Sequence, residues 1–427
     1  MTASPVDAFS AIRNPVVRAI ALARVSGVIG TQIINVAVGW QLYERTGSAL
    51  SLGLVGLFEL APVLFLMIPA GNAADRFARR NIAMAAQSVA AIAAFGLTAV
   101  AWLGAPVALI YAMLVLVGAA RAFASPAVGT IMPQLLKPDQ FVNANAWLSS
   151  AFQFASISGP AIGGLIIAWT GGATAAYFVG GVCQVIFVIS FSTLPAIRPP
   201  EATEKRKFSD VFAGFGFIRR SPVFLAAITL DMFGVLLGGA VVLLPVFAKD
   251  ILQVGPEGLG WLRAAPSAGS LVMLMIVTRL RPMQRPGRVL LLVVIGFGLA
   301  TVGFGLSTNF FLSMFCLFLT GVFDSVSVIV RLTLEQVIVP DRLRGRVSAI
   351  NYVFIGFSNE FGAFESGTTA WMFGPIASVV GGGIGTIAVV IAVALLWPAL
   401  ARLGPLHTLR PQEEAEIVSE TEARHSV

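Results

Sequence analysis

The chain has 427 residues, 57% hydrophobic and only 11% charged, with a mean hydropathy of +0.87 and a formal charge of +7. A soluble domain carries about 25% charged residues, so this composition excludes a soluble enzyme or binding module and requires an integral membrane protein. Cys183 and Cys316 lie inside apolar runs, which argues against a disulfide framework. His407 and His425 lie in the C-terminal tail, which leaves no histidine metal site within the membrane.

The chain opens on a short polar segment, 1–14, with no signal-peptide cleavage pattern. Twelve apolar runs follow, at 16–43, 48–71, 81–103, 106–130, 141–170, 174–194, 222–249, 257–279, 289–307, 310–333, 345–371 and 376–400. Each is near the roughly 20 residues that a crossing needs. The connections Gly104-Ala105, Thr170-Gly171-Gly172 and Ser307-Thr308-Asn309 are short and uncharged, so consecutive spans are antiparallel neighbours.

Residues 195–221 form the one long internal connection, with Arg198, Pro199, Pro200, Glu201, Glu204, Lys205, Arg206 and Lys207. This is a linker composition. Phe208, Val211, Phe212, Phe215 and Ile218 recur there at helical spacing, flanked by Lys205–Lys207 and Arg219-Arg220. That pattern predicts an amphipathic helix on the inner membrane surface. The expected organisation is a six-span half at 1–194, the linker at 195–221, a second six-span half at 222–402 and a tail at 403–427. In the tail, Glu413, Glu414, Glu416, Glu420 and Glu422 make a polar acidic segment, expected to be disordered or loosely helical.

The basic balance reads as topology, not as a nucleic-acid signal. Of 28 Lys and Arg, two (Arg45, Lys249) fall in outer connections, four (Arg24, Arg121, Arg263, Arg331) within or at the ends of spans, and the other 22 on the opposite face. That asymmetry puts both termini of a multi-pass protein in the cytoplasm, and the membrane expected is a bacterial-type inner membrane.

The halves also match each other. Asn14-Pro15 opens the first span and Ser221-Pro222 the seventh, and Arg24 and Gly27 then fall at the offsets of Asp231 and Gly234. Gln134 to Asp139 after span four matches Gln336 to Asp341 after span ten.

Between spans two and three stand Gly71-Asn72-Ala73-Ala74-Asp75-Arg76-Phe77-Ala78-Arg79-Arg80. Charged groups in hydrocarbon are costly, so this segment is read as a loop at the cytoplasmic face. It resembles the loop between helices two and three of the major facilitator superfamily, with Gly71, Asp75, Arg76, Arg79 and Arg80 in register and Ala78 in place of the second glycine. The resemblance implies twelve helices in two pseudo-symmetric six-helix halves. It also implies that Asp75 works against the inner end of span eleven, near Arg346 to Ala349. A second string, Ser158-Gly159-Pro160-Ala161-Ile162-Gly163-Gly164, resembles the antiporter motif of the same superfamily, with Ala155 at the upstream small position. Small residues let helices approach, and Pro160 bends one. Further strings resemble the branch that includes the enterobactin exporter and macrolide efflux proteins: Gly238-Gly239 through Pro245, Val254-Gly255-Pro256-Glu257-Gly258, Arg263-Ala264-Ala265-Pro266, Arg344-Gly345-Arg346 and Ser358-Asn359-Glu360 through Glu365.

Ionisable groups inside spans are functional candidates, because each needs a partner or a cavity. They are Arg24, Glu59, Arg121, Asp231, Arg263, Asp324, Glu360 and Glu365. Arg24 and Asp231 hold equivalent places in the two halves and are expected to pair across them, as a gate or part of the substrate site, unless each pairs within its own half. Glu59, Asp231, Glu360 and Glu365 are candidate proton carriers. Arg121 stands where the resembled antiporters place an arginine near the proton site. Gln32, Asn35, Gln153 and Asn351 are candidates to hydrogen-bond a substrate, and Phe58, Phe65, Phe152, Phe154, Phe233 and Phe354 to line an apolar cavity.

The reading is a monomeric, proton-coupled exporter of a hydrophobic or amphipathic small molecule, a siderophore or a drug. Its partners are the substrate and the bilayer. No cofactor or metal is expected, the proton gradient supplies the energy, and no nucleotide loop of the Gly-x-x-x-x-Gly-Lys type occurs. A lipid or lysolipid transporter on the same scaffold, or a membrane sensor without transport, are the alternatives.

Overall fold

A computed structural model describes residues 10–129, 131, 135–136, 138–196, 215–279 and 283–405. The described residues contain long helices and no strand. The first six are α1 (Pro15–Thr46), α2 (Ala49–Arg76), α3 (Arg79–Trp102), α4 (Val107–Gly129), α5 (Pro138–Thr170) and α6 (Thr174–Ser192). The next six are α7 (Pro222–Leu237), α8 (Gly255–Val277), α9 (Pro286–Leu306), α10 (Phe310–Ile338), α11 (Asp341–Phe373) and α12 (Pro375–Leu396). Eleven stretches are long and apolar enough to cross a membrane, at mean hydropathies from 1.3 to 2.5. The remaining helix, α11, has 33 residues and ample length. It falls short in apolarity because it carries Ser348, Asn351, Ser358, Asn359, Glu360 and Glu365, so its polar side chains need partners or water beside them.

Local chemistry sets the helix ends. The Asn14 side chain accepts from the Val16 N–H at 2.9 Å, and Pro15 starts α1 where no intrahelical donor is needed. The helix stops at Gly47, whose φ of +59° favours glycine and whose N–H donates to the Tyr43 carbonyl. The segment 71–80 departs from the loop expected there. Helix α2 runs on through Arg76 and α3 starts at Arg79, so only Phe77 and Ala78 connect them. Six residues of the segment, Gly71 to Arg76, therefore continue α2 and keep helical backbone hydrogen bonding.

By contacts, the chain forms two compact units, Met1–Glu204 with Val241–Ser267, and Lys205–Ala240 with Ala268–Val427. In the first, α1 packs on α5 and α6, α2 on α4, and α3 on α4 and α6. In the second, α7 packs on α11 and α12, and α9 on α10 and α12. Four of the five pairings of the first set recur in the second when shifted by six helices, which is the packing counterpart of the sequence repeat. The cores are apolar: Val17, Ile20, Ala83, Leu148, Phe187 and Phe191 in the first unit, and Leu230, Leu290, Val294, Val330, Leu334 and Val390 in the second.

Span seven is not the continuous helix expected over 222–249. Helix α7 ends at Leu237, Gly238 and Gly239 follow, and the chain continues as a 3-10 turn (Ala240–Leu243), a short α turn (Leu244–Val246) and a π turn (Phe247–Ile251). The two glycines lie where neighbours press in. An added Cβ at Gly239 would meet Ser366 Oγ at 2.7 Å and the Gly362 carbonyl at 3.0 Å. The chain leaves the second unit just after this pair and returns to it just after Pro266, inside α8. Both crossings thus sit at residues that weaken a helical ladder.

Of the predicted linker helix, 215–220 is helical with Ile218 buried and Phe215 exposed. Phe208, Val211 and Phe212 lie outside the described residues, as does the acidic tail beyond residue 405.

Candidate functional site

A cavity of about 700 Å³ lies within the first unit. Its polar wall is Arg24, Thr31 and Gln32 of α1, Gln87 of α3, Arg121 of α4, and Asn145 and Ser156 of α5; Phe141, Phe152, Phe187 and Phe191 supply aromatic surface. Arg24, Gln32, Arg121 and Phe152 were legible as candidates from sequence. Gln87 and Asn145 were not, because a single amide in an apolar run carries no periodic or charge signal. The Arg24 guanidinium lies over the Phe152 ring, 5.3 Å from its centroid, a cation–π arrangement.

Beside the cavity, Arg121 Nη1 meets Glu59 Oε2 at 3.4 Å, joining α4 to α2. The carboxylate is nearly buried, whereas the Arg121 side chain is 44% exposed. Gly118 makes the approach possible: an added Cβ there would meet Pro62 Cγ at 2.6 Å. Arg263 of α8 reaches the same region. It donates to the Asn35 carbonyl at 3.5 Å, and Glu59 acts on it electrostatically. One carboxylate thus serves two guanidinium groups.

The glycine motif of α5 is a seam with two sides. An added Cβ at Gly159 would meet Gln32 Cβ at 2.7 Å, and one at Gly163 would meet Ile33 Cα at 3.1 Å, both on α1. An added Cβ at Gly164 would meet Gly260 Cα of α8 at 2.9 Å, and one at Gly260 would meet the Pro160 carbonyl at 2.6 Å. The sequence did not identify Gly260 as the packing partner of Gly164; the Gly-rich run 255–260 was the only signal of a close approach there. At the end of α1, the Tyr43 hydroxyl donates to Asp250 and Lys249 Nζ lies 5.7 Å from the Tyr43 ring centroid. Arg45 donates to the Ala105 carbonyl at 2.7 Å, tying two connections together.

In the second unit, Asp231 of α7 and Arg331 of α10 form a buried ion pair. Asp324, about two turns before Arg331 on the same face of α10, acts electrostatically on both groups. Asp231 and Asp324 line one small cleft with Gly234, Phe297, Phe323 and Ser327. The sequence expectation gave Asp231 the partner Arg24. The partner observed is Arg331, because α7 and α10 belong to the same bundle and Arg331 lies on α10 facing it. At the end of α10, buried Glu335 accepts from Ser348 and, at 3.1 Å, from Asn351. Asn351 is therefore engaged with Glu335, and Phe354 packs against the cluster of Ile218, Phe224 and Val347.

Other candidates have packing or surface positions. Phe58 stacks on Tyr111 with centroids 4.8 Å apart. Phe65, Phe154 and Phe233 are exposed. Asn35 donates to Gln32 at 3.5 Å. Glu365 accepts from Ser366 at 3.3 Å, and Glu360 is partly buried. Arg80 donates to the Leu194 carbonyl at 2.6 Å, fixing the α2–α3 connection to the end of α6. The Asp75 and Ala349 side chains lie outside the described residues.

The profile of a family described as transmembrane secretion effectors matches residues 6–425. The enterobactin exporters EntS of Shigella boydii serotype 18 and of Escherichia coli O81 are each 28% identical to this chain over 391 residues, covering 91% of it and 93% of their own length. Among solved structures, the peptide transporter POT in complex with sulfate matches with a TM-score of 0.72 at 12% identity, covering 91% of this chain and 96% of that one. A bacterial homologue of the human lysosomal transporter Spinster, inward-facing and unoccupied, matches at 0.67 and 15% identity, covering 93% and 98%. At such identities these two matches concern the fold, which is that of the major facilitator superfamily. The relatives are transporters and not enzymes.

Proposed function

We propose, since the chain belongs to the transmembrane secretion effector family, that it is a secondary active exporter that moves an amphipathic small molecule outward against protons moving inward, by alternating access. The named activity of its relatives supports a siderophore, or a drug of similar amphipathic character, as the substrate. The relatives of Shigella boydii and Escherichia coli support a bacterial inner-membrane placement, and the charge pattern of the connections supports cytoplasmic termini.

The observation that carries proton coupling is the group Asp231, Asp324 and Arg331. Asp231 pairs with the Arg331 guanidinium, and Asp324 lines the same cleft as Asp231 and acts electrostatically with both. Such a group is electrically neutral only when one carboxyl holds a proton, and a net charge within the membrane is costly. Conformations that admit water to the cleft release the proton, and conformations that exclude water retain it. A ligand shifts such an equilibrium only by binding the two states differently; the proton does so through this charge balance. The helix-weakening residues Gly238-Gly239 and Pro266, where the chain crosses between compact units, supply positions for the bending that alternating access requires.

The test uses inverted membrane vesicles holding the full-length protein and energised to an acidic interior. Added enterobactin is expected to dissipate the proton gradient, read by a pH-sensitive dye, and Asp231→Asn with Asp324→Asn to abolish that response. Gradient-driven transport that survives both substitutions would place coupling elsewhere, with Glu59 or Glu360 next.

A further inference from the structure

Among the described residues, three of the four guanidinium groups inside the membrane-spanning part, those of Arg331, Arg121 and Arg263, have an anionic group at hand, and Arg24 has none. Arg331 has Asp231 and Asp324. Arg121 has Glu59 at 3.4 Å, and Glu59 also acts on Arg263. Among the described residues, no carboxylate pairs with Arg24; its contact is the face of Phe152. A cation–π contact offsets only part of the cost of holding a charge within the membrane. The remainder is met by water in the cavity or by an anion.

The cavity is built for the second. It presents two guanidinium groups, Arg24 and the exposed side of Arg121, and among the described residues none that lines it is acidic. Thr31, Gln32, Gln87 and Asn145 add hydrogen-bonding groups, and four phenylalanines flank them. Its volume of about 700 Å³ falls within the range of small-molecule sites, roughly 300–1,000 Å³. Counting the groups within the membrane part of this unit, Arg24, Arg121 and Arg263 stand against Glu59, an excess of two positive charges. The second unit has the opposite balance, with Asp231, Asp324, Glu335, Glu360 and Glu365 against Arg331.

Resting on the export reading above, we infer that this cavity of the first unit is the substrate site, and that it takes an anionic aromatic compound whose acidic group pairs with Arg24 while its ring lies among Phe141, Phe152 and Phe187. Arg24 is the selective contact. Arg121 contributes less, because Glu59 already offsets it. Electrostatic complementarity of this kind selects between ligands of equal size by charge.

The test compares two fluorescent probes of similar aromatic size, anionic 1-anilinonaphthalene-8-sulfonate and neutral N-phenyl-1-naphthylamine. Both are titrated onto the full-length protein in neutral-lipid nanodiscs, with empty nanodiscs as blank. The wild type is expected to favour the anion by roughly tenfold or more, the effect of one charge-assisted hydrogen bond. Arg24→Gln is expected to erase that preference while the neutral probe binds as before. A wild type that binds both probes equally, or a preference that persists in Arg24→Gln, would overturn the assignment. If Arg24→Gln binds neither probe, Arg24→Lys decides: a retained anion preference upholds the site and a lost one overturns it. Counterflow of the anionic probe in proteoliposomes separates this from the export reading. Selective binding without counterflow leaves the site standing and removes the exporter.

Discussion

Asp231 of α7 and Arg331 of α10 form an ion pair in which both side chains are less than a tenth exposed. Asp324, which lines the same cleft as Asp231, adds a second negative group within electrostatic reach of Arg331. The pair joins two helices of one bundle, and its unequal stoichiometry, two acids to one base, orders the effects of removing its members.

Arg331→Gln is expected to be the more damaging change. It leaves two carboxylates without a cation, and breaking a buried pair costs about 3–5 kcal/mol. Asp231→Asn leaves Asp324 to balance Arg331, so its cost is expected at or below the lower end of that range. The midpoint of thermal unfolding, followed in nanodiscs, checks the order. Equal losses would mean that Asp324 does not share the charge.

The two glycine motifs are expected to respond oppositely to alanine. An added Cβ at Gly164 meets backbone of α8, with Gly260 Cα at 2.9 Å. Backbone cannot move aside as a side-chain tip can, so Gly164→Ala is expected to destabilise by about 1–3 kcal/mol and to slow transport. Gly71 lies inside α2 with nothing within 4 Å of an added Cβ. Gly71→Ala is expected to stabilise that helix by about 0.5–1 kcal/mol. A destabilised Gly71→Ala, measured by the same unfolding midpoint, would show that this glycine has a packing role.

Tyr43→Phe removes the hydroxyl that donates to Asp250. A hydrogen bond to a charged group contributes about 1.5–3 kcal/mol, and here it fixes the last turn of span seven to the end of α1. Faster amide hydrogen exchange across 244–251 is the expected result. Unchanged exchange would mean that the packing of Gly39 on Pro245, where an added Cβ would lie 3.1 Å from Pro245 Cγ, holds this segment without the hydroxyl.

Membrane sidedness follows from loop charge. Pro106→Cys and Gly172→Cys are expected to react with an impermeant maleimide applied from outside intact cells. The native Cys183 and Cys316 lie within spans, and Cys316 is buried, so they provide the low background. Reaction of 106 and 172 from the cytoplasmic side alone would invert the topology.

The sequence alone was enough for the number and rough limits of the helices, because length and apolarity are what a bilayer demands of a crossing segment. It also exposed the six-helix repeat, since Pro15 and Pro222 start equivalent helices, and it marked Arg24, Glu59, Asp231 and Asp324, since a charge in an apolar run is conspicuous. It did not disclose which charges meet. Arg331 pairs with Asp231, 100 residues earlier, through the packing of the second bundle. The seam of Gly164 on Gly260 likewise depends on two helices distant in the chain. Helix periodicity says which face a residue occupies but not which helix lies opposite. That choice belongs to the tertiary fold, where close approach of backbones and neutralisation of buried charge are settled together.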